Sequence, residues 1–257
     1  MGTLQATALP EVAGVRLDIQ FAATVTNVLL GRQDPNGFVT YIRSGDTVPL
    51  IGGGAVVWDF EAPMDVPVTY VATQAAPPGS ETATSAPVTI VSNGETWLKN
   101  PGFPSMNMKL PIVSRLPSLT YPAQAASHPI LGRTFPVITS FVRQAPTGTI
   151  TVVTTTDNER RRLSSLLGGG NVLLLSSPPA FGFGNQYVAF GDVVENRVGL
   201  AMDQWRSWDM PFQVTDRPAG LAQAGPGTTW QVVNTTYTSW QALRDTGKSW
   251  RQVLEGT

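Results

Sequence analysis

Asp59, Glu61 and Asp65 lie within seven residues of one another, and a close pair of carboxylates is the minimum equipment of a glycoside hydrolase. Their setting, WDFEAPMD at the end of an alternating apolar run, argues instead for exposed or turn carboxylates. His128 is the single histidine and stands before Pro129 with no nucleophile partner in view, so it reads as a loop residue. Cysteine is absent, which excludes disulfides, thiolate metal sites and a cysteine nucleophile. The motifs GxSxG, HExxH, GxGxxG, the Walker loop and the EF-hand loop are all missing. FGFGNQ, at Phe181 to Gln186, has the glycines of a phosphate loop without the lysine or following helix. The residues therefore suggest neither catalysis nor a cofactor.

What remains to do chemistry is surface: Arg160, Arg161 and Arg162 in a row, Phe181 and Phe183 at a Gly/Pro turn, and the tryptophans. The arginines suit an inter-subunit ion pair, a charged lumen or a solvated helix face. Trp205 and Trp208 are three apart, so on a strand they face opposite sides and one of them is available to an interface. Trp230, Trp240 and Trp250 recur every ten residues, each after Ser or Thr and before Gln or Arg. Short helices capped by Thr238 and Ser249, or extended segments lying along a neighbour, both account for that repeat.

Composition points the same way. Lys and Arg number 17 against 18 Asp and Glu, a balance that argues against nucleic acid as main partner. Charged residues make up 14% of the chain, where a soluble domain carries about 25%. Surface covered by copies or partners would explain the deficit, and a Thr-rich β monomer would share part of it. No apolar run approaches the ~20 residues of a membrane span, and the N-terminus lacks the pattern of a signal peptide.

The elements that position these residues read as mainly β. Residues 1–10 are small and polar, an expected arm. Between 11 and 92, seven short alternating runs, from VRLDIQFA to APVTIVS, are broken by DPNG, SGD, GGG and PPGSE. This predicts an immunoglobulin-like or fibronectin type III-like sandwich. Trp58 and Phe60 are expected inward on one strand, Val68, Tyr70 and Ala72 on a later one, and APVTI as the closing strand. Turn residues around Ser92 to Pro104 mark a boundary, and a second β domain is expected over 95–218.

That second domain opens with a Pro-rich stretch read as an edge strand and a long loop. FPVITSFVRQ and GTITVVTTT then read as a hairpin turning at Ala145 to Gly148. Thr156 and Glu159 form a capping box, so a short helix begins there, lays Leu163, Leu166 and Leu167 on the sheet, and stops at Gly168 to Gly170. NVLLLS, QYVAFGDVVENRVG and WRSWDMPFQVTDRP supply further strands. Residues 219–257 form a Trp-repeat tail.

The succession WLKNPGFPS, GRTFPVITSFVRQAPTGTITVVTTTDNERRRLSSLLGGGNVLLLSSPP, QYVAFGDVVENRV and WRSWDMPFQVTDRP, with its Trp-rich tail, resembles minor tail proteins of long-tailed phages of actinobacteria. Its strand, strand, helix, strand unit is similar to the tail-tube-like domain of tail tubes and distal tail proteins. The resemblance implies a virion structural protein of the tail tip or baseplate, assembled in the host cytoplasm as a ring, commonly a hexamer. It also implies docking to the tail tube and tip hub. A carbohydrate-binding or host-adhesion module, with Trp205, Trp208 or the tail tryptophans stacking on a surface glycan, is the competing expectation.

Overall fold

A computed structural model describes residues 2–75, 81–115, 118–140, 142–200, 202–218 and 244. The fold is mainly β. The first unit consists of β1 (Thr3–Leu9), β2 (Gly14–Gln20), β3 (Asn27–Gln33), β4 (Val39–Tyr41), β5 (Val48–Pro49), β6 (Gly54–Asp59), β7 (Thr69–Gln74) and β8 (Thr82–Thr84). They form two antiparallel sheets, β1-β2-β6 and β4-β3-β7-β8 with β5 on β3. Both sheets turn their alternate residues onto one sandwich-like core, Leu4, Val15, Leu17 and Ile19 from one and Val28, Leu30, Tyr70 and Ala72 from the other.

Three expectations are corrected here. Residues 3–9, expected as an arm, are strand β1, paired residue for residue with β2. Leu4, Ala6 and Ala8 alternate onto the core, and small side chains suffice there because β2 brings the bulk. The closing run APVTI is reduced to two isolated bridges, Val68 with Val88 and Met64 with Ile90. Trp58 sits on the opposite face from that expected: on β6 the inward series is Ala55, Val57 and Asp59, and Trp58 is only half-buried. A register one residue off turns every side chain of a strand over. Val68, Tyr70 and Ala72 do face inward.

The second unit consists of β9 (Trp97–Lys99), β10 (Met108–Lys109), β11 (Ile112–Arg115), β12 (Ala125–His128), β13 (Val137–Ser140), β14 (Thr147–Thr154), α1 (Asp157–Gly168), β15 (Leu173–Ser176), β16 (Asn185–Phe190), β17 (Val194–Arg197) and β18 (Arg206–Thr215). Its main sheet runs β10-β9-β15-β16-β18-β14-β11, with β17 also on β18. The end strands β10 and β11 are separated only by Leu110 and Pro111. Three residue steps reach at most ~11 Å, whereas the first and last of seven flat strands would lie ~29 Å apart at ~4.8 Å spacing. The sheet therefore curls until its two ends meet, closing around Ile150, Val152, Leu173, Leu175, Val188, Trp208, Met210 and Phe212.

Helix α1 places Leu163 and Leu166 in the same core. Its start is dictated locally: Thr156 Oγ1 accepts from Glu159 N at 3.3 Å, and Glu159 Oε2 accepts from Thr156 N at 3.2 Å. The left-handed residue after its end is Gly170, at φ 61°. The expected hairpin of FPVITSFVRQ with GTITVVTTT is not formed. β14 pairs with β11 and β18, while β13 pairs with β12 outside the main sheet.

Candidate interaction surfaces

Two features stand out from this frame, a buried set of charges between the units and a ribbon projecting from the second. At the end of β6 the inward position falls to Asp59. Its Oδ2 accepts from Arg32 Nη1 at 2.6 Å and from the Tyr70 hydroxyl at 3.0 Å, and its Oδ1 from Glu61 N at 2.9 Å. Burial by itself drives this carboxyl up, but the charge and hydrogen bond of Arg32, with the Glu61 N–H and Tyr70, outweigh it and hold the group below the ordinary range.

Glu61, two residues on, accepts from Arg43 Nε at 3.0 Å and Nη2 at 2.5 Å on one oxygen and from Arg217 on the other. Asn185 Nδ2 donates to its carbonyl at 3.3 Å. Burial, followed by the charge of Glu61, raises the Tyr187 hydroxyl to about 12. Arg217 Nη1 also reaches Tyr41 O at 2.9 Å, and Arg43 Nη1 reaches Pro218 O at 3.0 Å. Glu61 thus joins the first unit to β16 and to the end of β18. Asp59 and Glu61, expected as exposed or turn carboxylates, are instead buried and saturated by cations. Of the three acids only Asp65 is a turn carboxylate, accepting from Ser92 N at 2.8 Å.

Lys99 completes the junction from the other side. On β9 the alternation puts Trp97 in the first core and Leu98 in the second. Lys99 follows, 1% exposed, with Nζ donating to Ala13 O at 2.7 Å and Phe60 O at 3.0 Å. Burial brings its amine down to about 7, against partial compensation from Asp59 and Glu61. A neutral amine has two N–H groups, and two carbonyls take them.

The ribbon is the continuation of the β11–β14 pair. Thr120 and Thr147 bridge at its root, Gln144 N donates to Pro122 O at 3.0 Å, and β12–β13 forms its outer part. Every residue from 121 to 140 is exposed on both faces of the ribbon except Pro122, which is half-buried. Leu131 is fully exposed, Phe135 81% and Val142 86%, with Tyr121, Ile130 and Ile138 also open. Pro122, Pro129 and Pro136 remove donors from its edges. A lone two-stranded ribbon is marginal in water, and this one has no core of its own to lean on.

The sequence-predicted surface residues fall at separate places. Arg160 is engaged within the chain, Nε to Glu195 Oε1 at 2.5 Å. Arg161 Nε donates to Asp157 O at 3.2 Å and Arg162 Nη2 to Asn107 O at 3.3 Å. Phe181 is exposed on a single 3-10 turn, whereas Phe183 packs edge-on to Phe212 with centroids 6.0 Å apart. Trp208 is the core member of its pair, donating Nε1 to Thr154 Oγ1 at 3.0 Å, and Trp205 is half exposed. Trp230, Trp240 and Trp250 lie outside the described residues. His128 is exposed on β12.

Nothing local announces the burial of Lys99, a lysine at the end of the short run Trp97–Lys99. The ribbon did leave a trace: no Asp or Glu occurs between Glu95 and Asp157, and prolines recur through 117–146. At its root lies a cleft of about 690 Å³ lined by Thr120, Thr147, Thr149, Thr151, Phe190 and Gln213, among others. Among the described residues no cluster of His, Asp or Glu could hold a metal ion, and no helix is long and apolar enough to cross a membrane. The chain matches no protein-family model and no curated protein.

Proposed function

We propose that this chain is a non-enzymatic structural protein of a phage tail tip, a distal tail or minor tail protein that self-assembles into a ring and docks the tail tube and tip hub. The observation that carries self-assembly is the ribbon. Its large apolar side chains face water on an element too thin to bury them, and such a patch is the mark of an interaction site. The tail-tip assignment rests on the sequence resemblance, in which an immunoglobulin or fibronectin-like module precedes a tail-tube-like domain. The curled sheet with its single capped helix is compatible with that second part.

The saturated junction supports the same reading, since a ring subunit transmits load between its units. The purified chain is expected to scatter light as an oligomer and to give annular particles, with sixfold symmetry, in negative stain. A monomer that also binds no tail-tube protein overturns the proposal.

The cleft at the ribbon root favours a second reading, binding of a host-surface glycan. Threonine hydroxyls beside the Phe190 ring offer the polar and stacking contacts that sugars use. Trp208, being buried, takes no part in it. An array of cell-wall polysaccharides tests this, and uniform silence removes it.

A further inference from the structure

The ribbon needs an acceptor, and its chemistry narrows the choice. Over 118–146 the only charges are Arg133 and Arg143, with His128 beside them and no carboxylate. Its acceptor should therefore be apolar and acidic. Among the described residues one surface fits, the excursion 191–205, which runs along β18 as β17 and returns to it through a hairpin loop. Val194, Leu200, Met202 and Trp205 are exposed there, Leu200 and Met202 by 79% and 95%. Among them stand Asp192, Glu195 and Asp203, against the single basic residue Arg197.

Glu195 is taken by Arg160 and Arg206, but Asp192 and Asp203 enter no salt bridge among the described residues. Among the described residues β17 pairs only with β18, so one of its edges has no strand partner there, and neither do the outer edges of β12–β13. A ribbon laid along β17 satisfies both sets.

In the described structure the two surfaces do not cover one another, since the apolar side chains of both are exposed. The ribbon leaves where Thr147 faces Gln213, whereas β17 pairs at the other end of β18, with Arg197 facing Arg206. Seven residue steps of the β14–β18 ladder separate Gln213 from Arg206, about 23 Å at the rise of a strand, so although Gly191 begins beside the ribbon root, Trp205 and the loop before it lie at the far end of β18. A donor at one end and its complement at the other make a heterologous, head-to-tail contact, which generates a ring when the rotation closes. Resting on the self-assembly reading above, we infer that the ribbon of one copy docks on the 191–205 excursion of the next.

The absence of cysteine makes the contact directly readable. Full-length chains carrying Thr134→Cys are mixed with full-length chains carrying Met202→Cys under mild oxidation. A disulfide-linked dimer is expected, and it should exceed by at least tenfold the yield with Ser164→Cys on α1 as the partner. In parallel, Arg133→Glu and Asp192→Lys are each expected to weaken self-association about tenfold. Combined in one chain they should do no worse than the weaker single, because both disturb one contact. Unfolding midpoints within experimental error of wild type show that the variants fold.

If the chain assembles but 134 and 202 crosslink no better than the α1 control, the acceptor is overturned and self-assembly stands. A wild-type chain that stays monomeric overturns both.

Discussion

At the junction, Glu61 is shared by two arginines, Asp59 is held by a third, and Lys99 is closed off from water. Along the ribbon 121–143, carboxylates are absent and Leu131 and Phe135 stand in the solvent. Ionic groups are inside and greasy ones outside, the reverse of what solvation alone would choose. The inversion makes sense if the two places are asked for different things. A buried, fully paired charge set is costly to rearrange, since any partner left behind is an unpaired buried charge, so it favours one seating of the units. An exposed apolar ribbon fixes nothing by itself and gains only by being covered. The low charge content also reads differently: with Asp59, Glu61 and Lys99 inside, the surface is poorer in charge than 14% suggests.

The comparison breaks most visibly at Glu61. Glu61→Ala leaves Arg43 and part-buried Arg217 facing each other without an anion. The expected loss is about 3–5 kcal/mol in urea unfolding, at the lower end because Arg217 can turn to water. An unchanged midpoint would mean that the junction contributes no rigidity.

Asp59→Asn is expected to cost less, about 2–3 kcal/mol at pH 7, since the amide can still accept from Tyr70. It also carries a pH signature. Because the folded carboxyl is held below its ordinary value, the unfolded chain takes up a proton first as pH falls. The stability from Asp59 is therefore complete above the ordinary carboxylate range and is lost as pH falls through the folded value. Wild type should lose stability more steeply than Asp59→Asn below about pH 4, the ordinary range of the group.

Lys99 gives an effect of opposite sign, read as a slope against pH rather than as a single loss. The folded chain releases this proton near 7 and the unfolded chain near the ordinary 10.5, so between these values the unfolded chain holds more protons. Raising pH through that window stabilises the fold, by up to about 1.4 kcal/mol per unit for one group. Lys99→Met should remove the slope from urea midpoints taken between pH 7 and 10. As pH falls toward 7 the variant should gain on wild type, because the cost of charging the buried amine is gone while the loss of its bonds to Ala13 O and Phe60 O is the same at every pH.

How far these sites could be foreseen depends on how local their causes are. The start of α1 was legible because Thr156 and Glu159 act on backbone groups within one turn. Tyr70 and its neighbours were legible because alternation along β7 is unambiguous. Trp58 and Asp59 are adjacent, so either phase of β6 satisfies the alternation. The choice lies with Arg32 and Tyr70, which only the fold brings near. VITS in β13 has the β-branched pattern of a core strand, and nothing local tells it to leave the sheet. What sends it out is the pairing of β14 with β18, some sixty residues further along the chain. Trp205 and Trp208 show both cases at once: their spacing announces two faces, and the β14–β18 pairing decides which is covered.

The ribbon supplies the smallest effect on stability, and there the smallness is the point. Phe135 and Leu131 touch no core, so Phe135→Ser and Leu131→Ser should move the unfolding midpoint by no more than about 0.5 kcal/mol, as for surface sites generally. In light scattering the same two variants should shift the chain toward monomer. A side chain that the fold does not need but the assembly does belongs to the contact between copies. If either variant melts the chain instead, the ribbon packs on its own subunit, and the contrast between junction and ribbon is lost.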